Sequence, residues 1–187
     1  MPHVLVPLAP GCEELEAITI IDLLRRAEIQ VSSASLDTGD SVSPVTASRG
    51  VVLIPDITLD QALQQSFDMI VLPGGLPGAD HLDNDARIHT LLQSMSADNK
   101  YTAAICAAPK VLARAKLLDG KSATSYPGVL DTMDLNSTRL STDAVVIDGN
   151  VITSRGPATA MDFALTLIEL LSGKSKRDEA ASALLCS

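Results

Sequence analysis

One cysteine in this sequence stands where a nucleophile would be built. Ala103-Ala104-Ile105-Cys106-Ala107-Ala108-Pro109 is an aliphatic run, one thiol, then small residues opening a helical stretch. That is the pattern of a nucleophile elbow, a tight strand-to-helix turn that thrusts one side chain above the carboxyl edge of a sheet. Small neighbours are needed because the turn crowds the backbone. A helix starting just after Cys106 would set the thiol against a positive dipole end, lowering its pKa and favouring thiolate. A lone cysteine in an aliphatic strand is otherwise a packing residue, and the elbow context is what favours the nucleophile.

Pro73-Gly74-Gly75 follows another aliphatic run, and two glycines there let backbone N–H groups approach a ligand without interference from Cβ. With the N–H of Ala107 they would form an oxyanion hole beside Cys106. The run is not a dinucleotide fingerprint and has no acidic ribose partner, so no nicotinamide cofactor is expected. A thiol nucleophile also needs a group that moves protons. Glu13, Glu14 and Glu16 open the first helical stretch; Glu13 and Glu16 share a face, and periodicity alone does not choose between them.

The elements that must position these groups alternate short aliphatic runs with helical periods, the signature of an α/β fold with a mostly parallel sheet. Strands are expected over 3–8, 29–36, 68–72 and 101–105. An antiparallel excursion is expected over 43–46 and 51–54, and a hairpin over 144–148 and 151–154 around Gly149-Asn150. Helices are expected over 13–27, 85–95, 107–116, 157–171 and 174–184. The first carries Leu15, Ala17, Ile18, Ile20, Ile21, Leu23 and Leu24, apolar more than one stripe wide, so a second buried side and a dimer contact are expected.

The 187 residues suit a single domain, spanning 1–187, with enough core to need no staple. Aromatic residues are only 2% of the chain, so the core is aliphatic and stacking platforms for nucleic-acid bases are nearly absent. Fourteen basic against twenty-three acidic side chains give a net charge of −9, which repels a phosphate backbone; no stable nucleic-acid complex is expected. Three cysteines are too few for a disulfide framework, and no run reads as a membrane span or signal peptide, so a cytoplasmic location is expected. His3, His81 and His89 lack metal-ligand spacing, and no metal site is expected. Cys12 reads as a packing residue, Cys186 as an exposed bystander, Met161 and Phe163 as core, and the basic run 174–177 as a solvated face.

Four blocks in order carry a resemblance that covers nearly the whole chain. Gly11-Cys12-Glu13-Glu14-Leu15-Glu16-Ala17, Val71-Leu72-Pro73-Gly74-Gly75, the Cys106 segment and Thr153-Ser154-Arg155-Gly156-Pro157-Ala158-Thr159 together resemble the ThiJ/PfpI superfamily. Within it they look like the Parkinson-disease-protein and bacterial YajL branch. The resemblance implies a flavodoxin-like three-layer sandwich and a homodimer packed through the first helix. It makes Cys106 the oxidisable nucleophile and Glu16 its partner, protonated and donating to the thiolate because two adjacent anions would be costly. Gly74, Gly75 and Ala107 carry over as backbone donors, and Tyr126, Arg155 and Pro157 as residues lining the site. Proteolytic members carry a His directly after the cysteine; Ala107 argues against peptidase activity. Many close relatives carry a His before the proline that is Pro127 here. Tyr126 replaces it, and a phenol is a poor base near neutral pH, leaving proton transfer to Glu16.

The implied function is cofactor-free, cysteine-dependent glyoxalase or deglycase chemistry on methylglyoxal and early glycation adducts of protein or nucleotide groups. The alternative is a redox-sensing or chaperone-like homodimer whose Cys106 is oxidised to sulfinate. Such sequences are often labelled thiazole monophosphate biosynthesis proteins; no kinase-type phosphate loop supports that label.

Overall fold

The computed structural model describes residues 1–135 and 137–186. Its first half runs β1 (His3–Leu8), α1 (Glu14–Arg26), β2 (Gln30–Ser35), β3 (Val45–Thr46), β4 (Val52–Leu53), β5 (Ile57–Thr58), α2 (Leu59–Ala62), β6 (Met69–Leu72), α3 (Gly78–Asn84) and α4 (Ala86–Ala97). The second half runs β7 (Tyr101–Ile105), α5 (Pro109–Arg114), β8 (Ser122–Ala123), β9 (Arg139–Leu140), β10 (Val145–Asp148), β11 (Val151–Ser154), α6 (Ala160–Ser172) and α7 (Lys174–Ala183).

Seven strands form the central sheet in the order β10, β11, β7, β6, β1, β2, β5. Every neighbouring pair is parallel except β10 with β11, which close the hairpin around Gly149-Asn150. The aliphatic runs take the middle of the sheet because helices flank it: Val4, Leu5, Val6, Ile70, Val71 and Ala104 are fully buried. Helix α1 packs along α6, and α3 packs on α4 and α5. The winding reverses at β1, with β2 and β5 on one side and β6, β7 and β11 on the other. The loops after β1 and β6 therefore leave the sheet at its switch point, where the carboxyl ends of parallel strands open a crevice. No helix among the described residues is long and apolar enough to cross a membrane.

Most of the predicted elements form, with three instructive differences. The helix expected from Ala107 begins only at Pro109 and has six residues, because 106–108 are occupied by the elbow turn, closed by Ala108 N–H donating to Ile105 O. Pro157–Thr159 is a 3-10 turn, and the helix proper starts at Ala160. Helix α3 is absent from the sequence reading because its run opens on Pro77-Gly78, residues that signal a turn.

Helix α1 shows the two apolar sides expected of it. Ala17, Ile20, Leu23 and Leu24 are buried, while Leu15 and Ile18 are 51% and 45% exposed. Ile54, after β4, is 78% exposed and lines one groove with Ile18 and Ile21.

Candidate active site

Cys106 follows β7 directly and holds φ at +63°, a left-handed conformation rare outside glycine and characteristic of a strained elbow. Two backbone bonds enforce it. The Cys106 N–H donates to Ser154 O at 3.0 Å, extending the β7–β11 pairing by one residue, and the Cys106 carbonyl accepts from Tyr126 N–H at 2.9 Å. The alanines on either side of it in the chain, Ala104, Ala107 and Ala108, are buried, and Cys106 itself is only 9% exposed.

Glu16 reaches the thiol from α1. It is fully buried, its Oε2 accepts the Gly74 N–H at 2.8 Å, and among the described residues its Oε1 has no hydrogen-bond partner. Gly74 is glycine for a steric reason: a Cβ there would stand 2.6 Å from Cys106 Cβ and 2.8 Å from Glu16 Oε2. Gly75 sits at φ +86°, with its Cα facing the Glu13 backbone nitrogen, so a side chain is excluded twice over. The two switch-point loops are also bonded together, by Glu13 N–H to Gly74 O at 2.9 Å and Gly78 N–H to Gly11 O at 3.3 Å.

The N–H groups of Gly75 and Ala107 face the thiol and stabilise its negative charge. Among the described residues neither donates to any oxygen, so both are open to a developing oxyanion. Gly74 does not join them. Its N–H is committed to Glu16, which corrects the expectation that it is a substrate-facing donor.

Protonation departs from the sequence expectation as well. Burial, then the Glu16 carboxylate, push the Cys106 thiol up to about 12, outweighing the Gly75 and Ala107 donors. The short α5 begins three residues beyond Cys106, so its dipole does not rescue the thiolate. Burial pushes Glu16 up to about 7, against the lowering effect of Gly74 N–H and the thiol. Burial thus disfavours the charged form of both groups, and the carboxyl is the one held closer to neutrality.

The other acids of the cluster have different work. Glu14 accepts from Ser48 Oγ at 2.9 Å and from Arg49 N–H at 2.8 Å, tying α1 to the β3–β4 turn, and Ser48 Oγ also donates to Glu13 at 2.8 Å. Cys12 is fully buried and its thiol is pushed up to about 11, by burial first and Glu14 second, as a packing residue requires. Among the described residues no three His, Cys, Asp or Glu side chains gather as metal ligands.

Tyr126, 52% exposed, and Arg155 flank the elbow and line a cavity of about 180 Å³ that does not include Cys106. Pro157 opens the 3-10 turn after β11 and does not line that cavity. Sequence reasoning missed Ser154, whose carbonyl fixes the elbow, and Asp131, which shares the cavity. A backbone acceptor leaves no signature in residue type, and Asp131 lies in a stretch without periodicity.

Strand order and elbow together place the protein among α/β proteins with a cysteine turn at the carboxyl edge of a parallel sheet. The profile of the DJ-1/PfpI family matches residues 2–170, and the chain belongs to that family. It is 46% identical to protein dj-1beta of Drosophila melanogaster over 181 residues, 97% of this chain and 95% of that protein. The crystal structure of Drosophila melanogaster DJ-1beta matches with a TM-score of 0.93 at 44% identity, covering 100% of this chain and 98% of that one. A Caenorhabditis elegans relative named glutathione-independent glyoxalase DJR-1.2 is 36% identical over 173 residues, 92% of this chain and 90% of that protein.

Proposed function

We propose that the protein is a thiol-dependent enzyme that converts methylglyoxal to lactate without a cofactor and consumes early methylglyoxal adducts of Cys, Lys, Arg or nucleotide groups. The observation that carries this reading is Glu16, buried beside the thiol with one oxygen fixed by Gly74 and the other unpartnered. Cys106 Sγ bonds to the aldehyde carbon while the carbonyl π pair moves to oxygen. The thiol proton passes to Glu16 and on to that oxygen, which rests meanwhile on the Gly75 and Ala107 N–H groups. Glu16 then removes the hydrogen of the thiol-bearing carbon as a proton and returns it to the neighbouring carbon, while the hydroxyl proton on the first carbon passes to the oxygen of the second, so that the first becomes a carbonyl and the second a carbinol. The product is a lactoyl thioester, and water hydrolyses it to lactate and free thiol. The redox change is internal to the substrate, so no outside oxidant enters. The glyoxalase name of the Caenorhabditis elegans relative supports the same chemistry.

The exposed Leu15, Ile18 and Ile54 support a homodimer formed through α1 and the segment after β4, and the charge balance with few cysteines supports action in the cytoplasm. The test is lactate production from methylglyoxal by purified protein, with Cys106→Ser alongside. Turnover that disappears in the variant is the expected result; equal rates in both would end the proposal.

The unpartnered Oε1 of Glu16 favours a second reading for the same site. Two equivalents of peroxide would oxidise Cys106 to sulfinate with release of two waters, and protonated Glu16 would donate to a sulfinate oxygen. Limited peroxide would then modify Cys106 ahead of Cys12 and Cys186, as mass spectrometry would show; uniform oxidation would count against it.

A further inference from the structure

The cavity behind Tyr126 is separate from the thiol, and its lining is chemically two-sided. Arg155 lines it, and its guanidinium has no carboxylate partner among the described residues; Nη1 reaches only Ser125 O, at 3.5 Å. Asp131 lines the same cavity. Its Oδ1 accepts the Gly128 N–H at 2.8 Å, while Oδ2 faces no cation among the described residues. The two charges share one small space without pairing with each other. Thr124 lines it too, 1% exposed, with its hydroxyl buried. The remaining walls include Tyr126, Leu140 and the polar Ser125, Ser141 and Thr142.

We propose that this cavity binds a small zwitterion, a free α-amino acid with an aliphatic side chain. Arg155 receives the carboxylate, Asp131 the ammonium, and Leu140 and the Tyr126 ring the side chain. At about 180 Å³ the space is below the usual range for drug-sized ligands, which suits an amino acid. A lone anion would leave Asp131 facing it, and a lone cation would leave Arg155 facing it; opposite charges on one molecule satisfy both. The occupant would also rest against the segments that hold the elbow, since Tyr126 N–H bonds to Cys106 O and Arg155 follows the Ser154 whose carbonyl takes Cys106 N–H. The proposal does not depend on the glyoxalase reading.

Calorimetric titration with three probes tests it: L-leucine, N-acetylleucine, which lacks the ammonium, and leucinamide, which lacks the carboxylate. Leucine should bind most tightly, each capped analogue about tenfold to a hundredfold more weakly. Asp131→Asn keeps the oxygen that accepts from Gly128; it should weaken leucine to the level of N-acetylleucine and leave N-acetylleucine unchanged. Arg155→Gln should do the same with respect to leucinamide. That crossed pattern is one a misfolded variant does not produce. No leucine binding by the wild-type protein, N-acetylleucine binding as tightly as leucine, or variants that weaken all three probes alike would each overturn the assignment.

Discussion

Glu16 on α1 and Gly74 in the loop after β6 are joined by a 2.8 Å hydrogen bond from the glycine N–H to Oε2. A residue with any side chain in place of Gly74 would stand between the carboxyl and the thiol. The bond orients a buried carboxyl by one oxygen and, among the described residues, leaves Oε1 without a partner.

Glu16→Gln keeps an oxygen to accept from Gly74 and removes the titrating group. Lactate formation from methylglyoxal should fall by about 100-fold or more, the usual loss when a positioned acid–base group is removed. The same substitution lifts the carboxylate's upward push on Cys106, so alkylation of that thiol should become faster at mildly alkaline pH. Activity close to wild type would take Glu16 out of the chemistry.

Stability should fall across the neutral range as pH rises. The Glu16 carboxyl is raised from 4.5 to about 7 in the folded protein, so the native state binds more protons than the unfolded chain over that interval. Its contribution is fully present below about 4.5 and is lost as pH rises through about 7, on the order of 3 kcal/mol as an upper bound. Urea unfolding from pH 5 to 8 should show this slope, and Glu16→Gln should flatten it. A wild-type stability that rises over the same range would contradict the assignment.

The same titration predicts the rate profile. Glu16 accepts the thiol proton as a carboxylate, so kcat/KM should climb with pH through an apparent pKa near 7. A profile flat from pH 6 to 8 would mean that another group takes the proton.

Gly74→Ala should cost about 1–3 kcal/mol by overpacking and abolish turnover, because the new methyl meets Cys106 Cβ at 2.6 Å and Glu16 Oε2 at 2.8 Å. Denaturant unfolding and the lactate assay report the two effects separately. An alanine variant as stable and active as the parent would show that the packing there yields easily.

Ile18→Asp puts a charge on the exposed face of α1 beside Ile54. Sedimentation should show the wild-type protein as a dimer and the variant as a monomer with an unchanged circular dichroism spectrum. A monomeric wild-type protein would refute the pairing.

The sheet and elbow were legible because aliphatic runs bounded by Gly and Pro leave few alternatives, and because Cys106 breaks its run at the one position a turn requires. The choice of Glu16 over Glu13 was not legible from spacing. Both lie on one helical face, and the structure separates them by a contact 58 residues away, at Gly74, that no local pattern encodes. The upward push on the Cys106 thiol has a related origin. The adjacent helix is a local feature, whereas the burial and carboxylate that outweigh it come from other parts of the chain. The cavity of Arg155 and Asp131 joins residues from separate loops whose types are ordinary one by one.

The paired loops after β1 and β6 bear on how this site can diverge. Glu13 N–H is fastened to Gly74 O and Gly78 N–H to Gly11 O, with glycines filling the seam between them. An insertion in either loop would have to be answered in the other, so their lengths can change only together. Variation around the elbow is thereby channelled away from the seam, to the wall that carries Tyr126, whose side chain is half in solvent. A library built on that wall should return many folded members, and one built on the seam very few.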